Sequence, residues 1–69
     1  MPSAYAFWVG QAVILQVAAD ELCVPLRGVI VGESESTLHF RVGDGGDLDI
    51  YKHMILAVEQ DTQASALVN

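Results

Sequence analysis

The fold of this chain is decided by residues 37–52, which read TLHFRVGDGGDLDIYK. In the first six of them, Leu38, Phe40 and Val42 alternate with polar or charged neighbours, which is the period of a half-buried β-strand. The residues GDGGD that follow tolerate the positive φ of a tight hairpin turn. The run LDIYK (48–52) favours a second strand, so the stretch predicts a β-hairpin.

Two strands are predicted upstream of this hairpin. Residues 9–19 are apolar on both faces of an extended chain, and the β-branched Val13 and Ile14 favour a strand over the competing helix. The run LRGVIVGES (26–34) predicts a second strand, in which Gly28 indicates sharp curvature or close backbone approach. The residues ADELCVP between the two runs are interpreted as a turn with an acidic tip.

A fifth strand, MILAVE (54–59), is predicted downstream of the hairpin. Five short strands separated by turns at intervals of about 8–12 residues are typical of an all-β meander closed into a small barrel or sandwich. We therefore divide the chain into an arm (1–8), a β-barrel domain (9–60) and a C-terminal tail (61–69) without periodicity.

The size and composition of the chain predict self-association. A chain of 69 residues buries only about 60% of the surface that it exposes when unfolded, yet 52% of its residues are hydrophobic. The single cysteine excludes an internal disulfide. We therefore expect an interface between identical subunits, with contacts from the arm and from the last two strands: Tyr5, Phe7, Trp8, Ile50, Met54 and Leu56.

The charge balance restricts the possible partners. Nine Asp and Glu residues against three Lys and Arg give a net charge of −6, which argues against broad, non-specific binding of nucleic acid but leaves room for a narrow site. No run reaches the ~18 apolar residues of a membrane span. The apolar opening lacks the positive charges of a signal peptide, and with one free thiol we expect a cytoplasmic protein without a membrane partner.

No set of catalytic or metal-ligating residues is visible. Cys23 lies in no nucleophile motif, and His39 alternates with apolar neighbours as a strand residue on the wetter face. Asp44, Asp47 and Asp49 do not match the twelve-residue calcium loop. We therefore expect no enzyme activity, no metal and no cofactor.

One triplet, Tyr51-Lys52-His53, precedes the last apolar strand and places a ring, a cation and an imidazole side by side. Together with Gly28 in a bent second strand, this triplet resembles the Sm-like family, in particular its bacterial Hfq-type members. The resemblance spans residues 10–59. It implies a five-stranded, strongly bent SH3-like barrel of Sm type, assembled into a homo-oligomeric ring of about five to seven subunits by pairing of the fourth strand with a neighbour's fifth strand.

The same resemblance implies a function, for which two interpretations stay open. In the first, the ring binds short uridine-rich single-stranded RNA at its pore through Tyr51, Lys52 and His53. In the second, it is a protein-interaction or scaffold module without RNA binding, since the chain is acidic, lacks a basic N-terminal helix and has no asparagine in the third strand. Tyr51 would then cover a barrel edge, and Lys52 would offset the charge of Asp47 and Asp49.

Overall fold

The computed structural model describes residues 4–63, which form five strands and two single-turn 3-10 helices. The first 3-10 turn lies in the arm and the second joins the last two strands. In chain order the elements are the first turn (Ala6–Trp8), β1 (Ala12–Ala19), β2 (Leu22–Glu33), β3 (Thr37–Val42), β4 (Asp47–Tyr51), the second turn (Lys52–Met54) and β5 (Ile55–Gln60). The all-β prediction is therefore confirmed.

All five strands belong to one antiparallel sheet with the order β4-β3-β2-β1-β5. Within residues 4–63, β4 and β5 are its two edges and do not pair with each other, so the sheet is not closed into the predicted barrel. No described helical segment is long and apolar enough to cross a membrane.

The sheet is irregular where the sequence carries its strand glycine. Gly28 pairs with Val42, and a Cβ atom at Gly28 would overlap the carbonyl oxygen of Arg41 and lie 3.0 Å from Cζ of Phe40. The register shifts between Ile30 and Gly32 in β2, and also in the pairing of β1 with β5. Gly28 thus marks a close approach of two backbones, one of the two roles that its place in a strand predicted.

The core lies on one face of the sheet. Its buried side chains come from the first four strands: Val13, Leu15, Ile30, Leu38, Phe40 and Ile50. Tyr5 and Trp8 of the arm pack against it. Ile50, which was expected at an interface, is only 8% exposed and belongs to the core of the single chain.

The first hairpin differs most from the prediction. Only Asp20 and Glu21 separate β1 from β2, and Asp20 has a φ of 57°, so most of the ADELCVP run is strand rather than turn. Pro25 suggested a turn, yet it lies in β2 and pairs with Gln16 of β1. On its other side β2 has no neighbouring strand at this point, because β3 pairs with β2 only from Gly28 onward. A proline is tolerated there because no neighbouring strand in the described chain needs its missing N–H on that side.

The ends of the chain are only partly described. Val9 forms an isolated parallel bridge with Ile30, and β1 begins at Ala12 rather than at residue 9. At the other end, Asp61 is buried and its N–H donates to the carbonyl oxygen of Ala12. Residues 1–3 of the arm and 64–69 of the tail lie outside the described residues.

Candidate interaction surfaces and nucleotide site

The predicted nucleotide triplet lies where the chain passes from β4 to β5. Tyr51 is the last residue of β4, whereas Lys52 and His53 belong to the second 3-10 turn rather than to a strand. This turn brings the rings of Tyr51 and His53 together, with centroids 5.5 Å apart and planes inclined by 27°. Tyr51 is 56% exposed, so the pair presents a stacked aromatic surface to solvent.

Lys52 is bound to other parts of the chain. Its Nζ lies 2.7 Å from Oε1 of Glu33 at the end of β2, and both side chains are about one-fifth exposed. Its backbone N–H donates to the carbonyl oxygen of Ser36, and its Nζ lies 5.8 Å from the centre of the Tyr5 ring. Lys52 therefore pairs with Glu33, whereas Asp47 and Asp49, whose charge it was expected to offset, are bonded by Arg41 and His39.

Every lysine and arginine side chain of this protein is in an ion pair. The sequence has three such residues, and besides Lys52 they are Arg27, 3.4 Å from Asp61, and Arg41, 2.9 Å from Asp47. Binding to phosphates draws most of its strength from cations that replace counterions. Each of these cations would first have to leave a carboxylate before it could bind a phosphate.

A network of charged side chains crosses from β3 to β4 on the solvent side. His39 lies between two carboxylates, with Nδ1 2.9 Å from Oδ1 of Asp49 and Nε2 3.3 Å from Oδ2 of Asp47. These hydrogen bonds, that of Asp49 first, raise the pKa of His39. The hydrogen bond from Arg41 is the main cause of a lowered pKa at Asp47. The network adds side-chain hydrogen bonds to the backbone pairing of the edge strand β4 with β3.

The acidic residues in and after the β3–β4 turn form hydrogen bonds within the hairpin. Oδ1 of Asp44 accepts a hydrogen bond from the N–H of Gly46, while Asp47 and Asp49 are engaged by β3 side chains. No group of three or more metal-ligating side chains occurs among residues 4–63. Cys23 is exposed in β2, where its Sγ lies 3.3 Å from Oε1 of Gln16.

A shallow groove of about 300 Å³ runs beside the open edge of β5. It is formed by the arm and the first four residues of β5: Ala4, Tyr5, Trp8, Ile55, Leu56, Ala57 and Val58. Leu56 is 61% exposed and Phe7, whose ring meets that of Trp8 edge-on at 5.4 Å, is 73% exposed. Of the residues expected at an interface, Tyr5, Trp8 and Leu56 thus line one apolar surface.

The edge of β5 lacks the residues that most often block edge pairing. Edge strands are commonly blocked by proline or by charged side chains, lysine above all. β5 reads ILAVEQ and contains neither proline nor a cation. Its one charged residue, Glu59, accepts a hydrogen bond from Nε2 of Gln16 on β1. The backbone of β5 is therefore open to another strand.

Comparison of the chain with protein-family models, with curated proteins and with solved structures finds no match.

Proposed function

We propose that this protein is a protein-interaction module of Sm-like type that assembles with copies of itself into a ring of about five to seven subunits. The observation that carries the proposal is the position of β4 and β5 at the two edges of one five-stranded sheet. Pairing of β4 with a neighbour's β5 requires this strand order. A chain of such sheets closes when the last subunit meets the first.

The open edges supply the driving force for assembly. Strand pairing gives the outward backbone groups of β4 and β5 the partners that they lack within the described chain. The apolar side chains beside both edges would be covered at the same time, including Leu48 at 45% exposure and Leu56 at 61%. At about 25 cal/mol per Å² of apolar surface, such burial adds to the backbone pairing.

The distribution of charge favours a protein partner over RNA. Each of the three side-chain cations already faces a carboxylate, at 2.7 to 3.4 Å. A ring multiplies the net charge of −6 by the number of its subunits. Like charge repels a polyanion, and no cation remains unpaired in the Tyr51–His53 surface to offset that repulsion.

The assembly is tested by light scattering on two matched variants. Leu56→Lys places a cation on the β5 edge, whereas Val31→Lys places one on the central strand β2, where Val31 is 36% exposed. We expect the wild type and Val31→Lys to have about five to seven times the mass of one chain, and Leu56→Lys to be smaller. An unchanged mass for folded Leu56→Lys would contradict the proposal.

A second candidate function, binding of uridine-rich RNA, is favoured by the stacked rings of Tyr51 and His53. Aromatic platforms of this kind contribute about 1–3 kcal/mol per stacked base. This candidate predicts that a short oligo-uridine binds at moderate salt and that Lys52→Ala or His53→Ala abolishes binding. The interaction-module proposal predicts no binding, which fluorescence anisotropy with a labelled oligo-uridine measures directly.

A further inference from the structure

The β1–β2 hairpin projects beyond both strands that flank it. β5 pairs with β1 only as far as Val17, and β3 pairs with β2 only from Gly28 onward. Residues 18–26, here called the hairpin ribbon, pair within the described chain only through the ladder between β1 and β2. Pro25 lies on the outer side of this ribbon, where a proline discourages the addition of a further strand.

One face of the hairpin ribbon continues the apolar face of the core. The pairs Val17–Val24 and Ala19–Leu22 follow buried Leu15 at intervals of two residues, so all these side chains lie on the same side of the sheet. Yet Leu22 is 70% exposed and Val24 is 36% exposed. The apolar face of β1 and β2 thus extends beyond the ends of the flanking strands β3 and β5.

The tip of the ribbon carries two negative charges that have no ion-pair partner among the described residues. Asp20 and Glu21 form the turn, are exposed, and make no ion pair within residues 4–63. A second copy of this chain would bring its own acidic tip, and its lysine and arginine side chains are already paired. Like charges across an interface oppose association, whereas a cationic partner satisfies both tip carboxylates.

We infer that the hairpin ribbon docks a cationic, apolar segment of a different protein. Apolar side chains of that segment lie on Leu22 and Val24, and its Lys or Arg residues pair with Asp20 and Glu21. The inference rests on the proposed function in taking the chain to be an interaction module, and it names the chemistry of the partner. The docking surface is separate from the β5 edge, so an experiment can refute the docking inference without refuting the proposed assembly, and the reverse.

Synthetic peptides test this docking site without knowledge of the natural partner. The probe is a peptide of alternating Leu and Lys, compared with a Leu–Glu and a Ser–Lys peptide of equal length, each titrated into the ¹⁵N-labelled wild-type chain. We expect the Leu–Lys peptide alone to shift amide resonances, and the shifts to centre on residues 18–26. Leu22→Ser combined with Val24→Thr should weaken binding about tenfold, since both apolar contacts are lost.

The control variant Val31→Thr changes a valine of β2 that is as exposed as Val24, 36% in both cases, but lies outside the ribbon and both sheet edges, and it should bind the peptide as the wild type does. Shifts centred on β5 or β4, equal binding of the Ser–Lys peptide, or no binding at all would overturn the inference. A lower assembly mass for the Leu22→Ser, Val24→Thr variant would also overturn it, because a second copy would then cover the ribbon. If Leu56→Lys leaves the assembly mass unchanged, that result contradicts the proposed ring but not the docking inference.

Discussion

Replacement of Gly28 by alanine should destabilise this protein far more than the same change at Gly32. Both glycines lie in β2, and neither has a positive φ. A Cβ at Gly28 would overlap the carbonyl oxygen of Arg41, with the carbonyl carbon at 2.9 Å, whereas a Cβ at Gly32 meets nothing within 4 Å. The obstacle at Gly28 is backbone, which moves only if the β2–β3 pairing opens.

The size of the effect follows from this clash. Overpacking costs about 1–3 kcal/mol when side chains can adjust, and a backbone obstacle places Gly28→Ala at about 3 kcal/mol or more. For a chain this small, about 3 kcal/mol lowers Tm by roughly 12–24 °C and approaches the whole free energy of unfolding. Gly32→Ala should lie within about 1 kcal/mol of the wild type, because alanine also reduces the entropy of the unfolded chain.

Thermal unfolding followed by circular dichroism, with urea titration of Trp8 fluorescence as a second probe, measures both variants. Complete unfolding of Gly28→Ala at room temperature agrees with the reasoning if Gly32→Ala remains folded. A Gly28→Ala variant that melts within about 3 °C of the wild type would refute the close approach of β2 and β3. An equal loss of stability in Gly28→Ala and Gly32→Ala would refute the assignment of the clash to Gly28.

Two further predictions concern the charged side chains. Since the pKa of His39 is raised above 6.5 by Asp49 and Asp47, its stabilising contribution is complete below that value and is lost as the pH rises through the folded-state pKa. Tm should therefore fall more for the wild type than for His39→Gln between about pH 5.5 and about 8.5, and an identical pH dependence would contradict this. Arg27→Ala should lower the free energy of unfolding in urea by about 1 kcal/mol, because the buried carboxylate of Asp61 loses its guanidinium partner. An unchanged urea midpoint would show that this ion pair does not stabilise the fold.

Local alternation predicted the strands well where a single face is buried. The strand Thr37–Val42 was placed at its observed bounds, because Leu38 and Phe40 are buried and His39 and Arg41 are exposed. The same logic failed at residues 19–25. There the acidic pair and Pro25 suggested a long turn, but the β1 residues opposite this run continue the ladder to a two-residue turn.

The candidate site was predictable only in part. Residues 51–53 were expected to form the site, with Tyr51 and Lys52 at the end of a strand. The structure places a 3-10 turn there, which stacks Tyr51 on His53, and pairs Lys52 with Glu33, 19 positions earlier. Such pairing depends on how β2 and β4 are brought together by the sheet, which no local pattern of residues encodes.

The exchange of backbone amide hydrogens in β5 tests the edge-pairing account most directly. In the assembled protein, the β5 amides that do not bond to β1 should be protected from exchange to a degree comparable with the amides of the interior strand β2. They should lose that protection in Leu56→Lys. Free exchange of these amides in the wild type at micromolar concentration, alongside protected β2 amides, would show a bare edge and contradict assembly through β5.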